Sequence, residues 1–530
     1  MMYNNRSIIK IIAKVRGIEN PFIIPIGFSI ALAILVQFLL YEGGLYSISA
    51  DESSRTRIAY DFSRNNHLAV GNWLPFHTLL LGALFKIWPN LFLAPRLLSH
   101  AFGILVLVSV IILTHCIFRN KRATILSGFL AALLPQRVIL ATVPLSEIFL
   151  ISSICLGFIF LNLWVERSEF KYLVALGVCM SLATMTRYEG WAFATGLILY
   201  FLLLKHRYSR LPGLRQRLVL LVLVSAFPII WLTLQFYTTG NPLAFTERAV
   251  TSENSALVWK NLTFLPILKE TLQMNVLYHF IQQNMASLNG LAFISIFLTL
   301  NKNQRTHATL SIAGWALLIM SIVWFLVLSI PGSTFRLIPS NAWRFASVWS
   351  VLLIPFTAHA MVLIEDACKH KRRLVNFLFR MILYAIVTIF FVQQIDQLAK
   401  ESSFSGDERS LGMVLKKRLA EEPSARVLID SPDWAYLDIS IASNYPDRFI
   451  ANTGINPRLP TAAILQIDNA GEGTIPDADP FTFYVFRTAK YKQWLSSQPH
   501  LHPIAEFGKW RVFEFRREFF GVGPGQLFDK

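Results

Sequence analysis

The chain has 530 residues, of which 54% are hydrophobic and 15% charged, with 42 Phe and 13 Trp. A soluble chain of this length carries about a quarter charged residues, so a soluble globular fold is excluded. The net charge of +17 would suit a nucleic-acid binder. Its distribution excludes that, because the basic residues gather in short loops between apolar runs, as in the cytoplasmic loops of membrane proteins.

Residues 1–20 carry Arg6, Lys10, Lys14 and Arg16 ahead of the apolar run Pro21–Tyr41, which reaches the ~20 residues needed to span a bilayer. The run is too long for a signal-peptide core and no small-residue cleavage site follows it. It reads as an uncleaved first span with a cytoplasmic N-terminus. The stretch Ser47–Arg57 comes next, with Asp51 and Glu52 adjacent and Arg55 and Arg57 close behind. The segment 72–89 is a poor span, and Trp73 and Trp88 at its ends suit a helix lying at the membrane interface.

A second span, Leu91–Phe118, ends in the basic cluster 119–122, which places Asp51, Glu52 and Trp73 outside. The chain returns through Ala123–Leu134 and re-enters through Ile148–Val165, with Glu147 at the outer mouth. Tyr172–Leu204 would be about 50 Å as one helix, and Arg187–Gly190 interrupts it. A hairpin of two short spans turning at Arg187–Gly190 keeps the basic loop 205–217 inside. Leu218–Thr239 goes out, Asn289–Leu300 returns, Ala308–Leu328 goes out, Phe345–Ile364 returns and Leu374–Ile395 exits, making about eleven spans.

Beyond residue 400 the pattern changes. Asp407–Leu419 has helical apolar spacing, 426–430, 481–487 and 510–515 read as strands, and Tyr491–Leu495 is helical between the last two. Residues 430–434 read as a strand-to-helix turn. The fold class is therefore a mostly α polytopic membrane protein, N-in and C-out, with an extracytoplasmic α/β domain. The domains are 1–399 and 400–530.

The residues that could carry chemistry lie outside. A carboxylate at the interface can act as general base when aimed at a hydroxyl; Asp51 is the first candidate, Glu52 a second, and each could equally be a solvated loop acid. Glu147 either complements a helix start with Ser146 as cap or faces Asp51 across a cavity and binds hydroxyls. Arg96, Arg137, Arg187, Arg336 and Arg344 stand among aromatics and prolines. Arginine suits phosphate through bidentate, charge-assisted bonds, and the bland alternative is pairing with an acid, as Arg187 with Glu189, or with a lipid headgroup. The histidines, His77 among them, have no metal-ligand spacing, and Cys116, Cys155, Cys179 and Cys368 form no disulfide or zinc pattern. A divalent metal is allowed but not indicated, and no cofactor is required.

Taken together, Ala50-Asp51-Glu52, Trp73-Leu-Pro75, Arg96-Leu-Leu-Ser99, Ser146-Glu147, Thr186–Gly190 and Gly240–Leu243 resemble the GT-C integral-membrane glycosyltransferases. The likeness is to the branch of protein O-mannosyltransferases and the lipid A aminoarabinose transferase. It covers residues 20–345 and departs at Leu74-Pro75-Phe76, where paired prolines are usual, and at His77, where an aromatic is common. It implies a sugar donor on a polyprenyl phosphate, transfer on the outer face of the cell membrane, and an inverting single displacement with Asp51 as base. The five arginines are then the donor phosphate-binding set, and Trp73, His77, Tyr188 and Glu189 line the substrate cavity. The partners are the bilayer, the polyprenyl-phosphate sugar and an acceptor lipid, glycan or protein. A transporter or lipid flippase is the alternative, and it would want charges at mid-span, broken helices and repeats.

Overall fold

The computed structural model describes residues 23–68, 73–203, 213–244, 342–367, 406–430, 435–452, 483–486 and 501–515, with isolated helical positions between 292 and 395. The expected helix Tyr491–Leu495, Arg336, and most of the spans placed between 245 and 341 and after 367 lie outside these residues. Packing divides the chain into two compact units. One comprises residues 1–40, 68–79 and 97–401, the other 41–67, 80–96 and 402–530. Residues 41–67 and 80–96, which precede residue 400 in sequence, thus group with the C-terminal residues.

Among the described residues the helices begin with α1 (Ile23–Glu42), followed by α2 (Asp51–Asn65), α3 (Pro75–Ile87) and α4 (Leu93–Phe118). Then come α5 (Lys121–Leu133), α6 (Pro135–Thr142), α7 (Glu147–Arg167), α8 (Phe170–Thr186), α9 (Tyr188–Leu203) and α10 (Leu214–Thr239). Among the described residues, α1, α4, α7 and α10 are long and apolar enough to cross a membrane, and α5 with α6, bent by 53°, makes a fifth if the pair is one span. The expected hairpin within Tyr172–Leu204 is present as α8 and α9. Arg187 between them is extended, with φ −152° and ψ 154°. Gly190 has to be glycine there, because a Cβ would collide with the Ala183 carbonyl oxygen.

Burial separates helices that face lipid from helices that face protein. Hydrophobic side chains of α1 and α10 such as Phe28, Phe38, Val222 and Ile230 are exposed, whereas α7 is buried along nearly its whole length. A helix apolar all round is either a membrane span or buried in protein, and α7, 89% buried along its apolar window, is enclosed by the rest of its unit. Two further helices, α11 (Ala342–Leu352) and α12 (Ile354–Ala367), belong to it, and α11 packs on α6 and α7.

In the second unit, α13 (Gly406–Glu421) precedes β1 (Val427–Asp430), α14 (Ala435–Ser443), β2 (Phe449–Asn452), β3 (Phe483–Phe486), β4 (Leu501–Phe507) and β5 (Trp510–Phe515). The sheet order is β2-β1-β3-β5-β4, with β1 parallel to both β2 and β3 and the other pairs antiparallel. The helix α13 and the strands β1, β3 and β5 match expectation, and α14 stands after the strand-to-helix turn read at 430–434; β2 and β4 were not anticipated. β4 is an edge strand, which is where a strand tolerates Pro503, and the register slips between Pro503 and Ala505. Leu411, Leu415 and Leu419 recur every fourth residue on α13 and bury against Val427, Ile429, Phe483, Val485, Trp510 and Val512. Each fully buried side chain of that size contributes about 1.5–3 kcal/mol.

Candidate active site

Asp51 opens α2, directly after the first span. It is half-buried, and its backbone N–H donates to Ser49 Oγ at 3.3 Å. No side chain caps this helix at Ala50, and the positive end of the helix suits carboxylates in its first turn. Glu52 has another use. It is 1% exposed; its Oε1 accepts from Ile48 N–H at 2.8 Å and its Oε2 from Ser49 Oγ at 2.7 Å. Both oxygens thus tie down the loop that presents Asp51. A carboxylate engaged in this way holds backbone geometry.

On the same unit Arg96 is buried, stacked over the Phe92 ring with its guanidinium carbon 3.8 Å from the centroid. It donates to Phe92 O at 2.7 Å and Tyr46 O at 2.6 Å. The second bond crosses to the loop that leads into α2. Arg96 therefore clamps backbone where the sequence placed it in a phosphate site.

The other unit holds a buried ionic group. Glu147 is the first residue of α7 and is 1% exposed. Its Oε1 accepts from Arg344 Nε at 2.7 Å, lies 2.6 Å from Arg344 Nη2, and lies 3.0 Å from Arg187 Nη1. Arg187 also grips Glu189 Oε1 through Nε and Nη2, at 2.9 and 2.7 Å. Among the described residues, two carboxylates and two guanidiniums thus meet in one cluster and balance in charge. The sequence anticipated the Arg187–Glu189 pairing, but not that Glu147 would join Arg187 to Arg344. Ser146 makes no cap bond; its hydroxyl accepts from Arg187 Nη1 at 3.3 Å instead. Asp51 and Glu147 belong to different compact units.

Arg137 is fully buried in the bend between α5 and α6. It donates through Nε to Ala131 O, through Nη2 to Ala132 O at 2.9 Å and through Nη1 to Gly103 O at 3.3 Å. Carbonyls at the end of a helix lack intrahelical partners, and with Pro135 opening α6 the break leaves them in apolar surroundings. Arg137 satisfies them, a use of arginine that the sequence reading did not consider. Trp73 stands half-buried before α3, and His77 on α3 is buried with its ring edge-on to Phe149 at 5.1 Å. Tyr188 packs with Leu74, Trp191, Phe227 and Trp231, and Trp231 Nε1 donates to its hydroxyl at 3.3 Å. Among the described residues no group of three His, Cys, Asp or Glu side chains is placed to hold a metal ion.

A family model described as dolichyl-phosphate-mannose-protein mannosyltransferase matches residues 74–233, from α3 into α10. The structure is similar to that of ArnT from Cupriavidus metallidurans bound to undecaprenyl phosphate. The TM-score is 0.58 at 13% identity, over 94% of this chain and 99% of that one. This is a GT-C fold. The apo state of the same ArnT gives 0.53 at 12% identity, over 92% and 97% of the two chains. No curated protein matches. The GT-C fold, together with the apolar helices, makes the chain a multi-pass membrane protein, and it resembles the branch to which its motifs pointed.

Proposed function

We propose that this chain is a membrane glycosyltransferase. It moves a sugar from a polyprenyl-phosphate donor to an acceptor hydroxyl on the extracytoplasmic face, with inversion, and Asp51 is the general base. The likeness to an undecaprenyl-phosphate-bound ArnT along nearly the full length of both chains is the observation that carries this reading. The placement of Asp51 at the head of α2, on a loop pinned by Glu52, supports it locally.

In the displacement, Asp51 takes the proton of the acceptor hydroxyl as that oxygen attacks the anomeric carbon. The bond from that carbon to the phosphate oxygen breaks, and the polyprenyl phosphate leaves with the electron pair. Fixed cations aimed at the charge developing on the phosphate lower the barrier, by several kcal/mol in comparable sites. Among the described arginines, Arg187 and Arg344 suit that role better than Arg96 and Arg137, whose guanidiniums are spent on backbone carbonyls. The cluster made by Glu147 and Glu189 sets the orientation of both. The acceptor is a lipid, a surface glycan or a protein.

The test uses full-length protein in membranes, a panel of radiolabelled undecaprenyl-phosphate hexoses and pentoses, and membrane extract as acceptor. Wild type transfers label and Asp51→Asn does not, while the variant still reaches the membrane folded. Near-normal turnover by Asp51→Asn removes the base assignment. Movement of intact donor across vesicles without transfer would favour the transporter, the reading that the broken helix α5–α6 also suits.

A further inference from the structure

The C-terminal residues carry an acid that the reaction scheme does not use. Asp438 lies on α14, and its Oδ1 accepts a hydrogen bond from Ser53 Oγ, two residues after Asp51 on α2. Its other oxygen, Oδ2, is shielded from solvent and has no hydrogen-bond partner among the described residues. The two side chains share the wall of a small pocket with Tyr46, Arg96, Glu408 and Arg409, all within one compact unit.

This contact is a polar tie between α14 and the first turn of α2. Arg96 holds Tyr46 O from one side of the same pocket, and Arg409 lies over the Tyr46 ring with its guanidinium carbon 4.4 Å from the centroid. The loop before Asp51 and the turn after it are thus each tied to residues that line one pocket, and Asp438 alone among these ties carries an uncommitted oxygen. The charged and titratable groups facing Asp438 are Glu52 on α2, Arg96 on α4, Glu408 and Arg409 on α13, and Tyr46 on the connecting loop. Burial, reinforced by the charges of Glu52 and Glu408 and offset by Ser53 and Arg96, pushes the Asp438 carboxyl up to about 7.

We infer that Asp438 is a positioning residue for Asp51, through which the C-terminal residues set the placement of the general base. The inference rests on the reading of Asp51 as base. An ionised carboxylate accepts the Ser53 bond more strongly than a neutral acid does, so while α14 stays packed and Asp438 buried the first turn of α2 is held more firmly as pH rises through neutrality, even as ionisation weakens the fold as a whole. Misplacing a reacting group by about 1 Å can cost on the order of 100-fold in rate, which makes even a small release visible in turnover.

The experiment measures two things in the full chain: amide exchange at residues 54–57, corrected for intrinsic rate, and transfer from whichever radiolabelled undecaprenyl-phosphate sugar wild type consumes. In wild type, protection of 54–57 rises between pH 6 and 8, and kcat rises with it. Asp438→Asn keeps an acceptor for Ser53 but cannot ionise; its protection and kcat stay at the wild type's low-pH level across that range. Ser53→Ala behaves as Asp438→Asn does, with kcat at pH 8 down about 10-fold, donor KM within about twofold, and no further loss in the double variant. A wild-type pH dependence in Asp438→Asn, or additive losses in the double variant, overturns the inference. Should Asp51→Asn retain turnover, the premise falls. Should Asp51→Asn be dead while Asp438→Asn titrates as wild type, only the positioning role falls.

Discussion

Removing the charge of Glu147 should destabilise the membrane unit more than any other single isosteric change. In Glu147→Gln the amide can still accept from Arg344 Nε, but a neutral cluster becomes one with a net positive charge, buried beside Arg187 and Arg344. Each guanidinium lies within 3.0 Å of Glu147 Oε1. A unit-charge pair about 4 Å apart at an effective dielectric constant near 20 is worth about 4 kcal/mol. Breaking a buried pair from one side typically costs about 3–5 kcal/mol, largely because the partner stays charged and dry. At roughly 2–4 °C per kcal/mol for a domain of this size, the unfolding midpoint of purified protein should fall on the order of 6–20 °C, read by tryptophan fluorescence in detergent. Combining Glu147→Gln with Arg344→Met restores neutrality, leaving Arg187 with Glu189, and should recover part of the loss. If Glu147→Gln costs under about 1 kcal/mol, or if the two changes simply add, the cluster is not the tie described.

Three further outcomes follow from the same geometry. Glu52→Ala removes the carboxylate that accepts from Ile48 N–H and the Ser49 hydroxyl, at a cost of about 1–3 kcal/mol; thermal unfolding should show that loss together with reduced transfer, whereas Asp51→Asn loses transfer alone. Arg137→Met strips hydrogen bonds from three buried carbonyls and should lower stability by a similar or larger amount while leaving the donor KM within about twofold, so a selective rise in KM would return Arg137 to the phosphate site. Asp438, ordinarily near 3.8 and raised to about 7 in the fold, stays protonated in the native state at pH values where the unfolded chain has ionised. The native state therefore binds more protons between about pH 4 and 7, and this group's contribution falls as pH rises through that window. Asp438→Asn removes the dependence, so its unfolding midpoint relative to wild type should climb from pH 4 to 7 and level off above.

Legibility in the sequence followed the range of the forces involved. Hydrophobic run length and charge asymmetry placed α1, α4, α7 and α10 because a span is set by the apolar residues within it. The break at Arg187–Gly190 was visible because two polar residues beside a glycine interrupt an apolar run that is too long for one crossing. On α13 the i, i+4 leucines marked a buried stripe. The short strands β2 and β4 escaped because pieces of four to seven residues carry little periodic signal and depend on neighbours supplied by a sheet.

The local order around Asp51 was written in the chain: an apolar run, then paired acids, then arginines, and with it the family likeness. The tertiary structure decided how the charged residues divide their work. Glu52 meets its partners only because the loop folds back on it, and Arg137 finds its carbonyls only because α5 breaks at Pro135. Arg344 reaches Glu147 across 197 positions, and Ser53 reaches Asp438 across 385. An arginine's affinity for phosphate, carboxylate or carbonyl is the same side-chain chemistry, so residue type alone named five equivalent cations. Which acceptor each one meets is a property of packing.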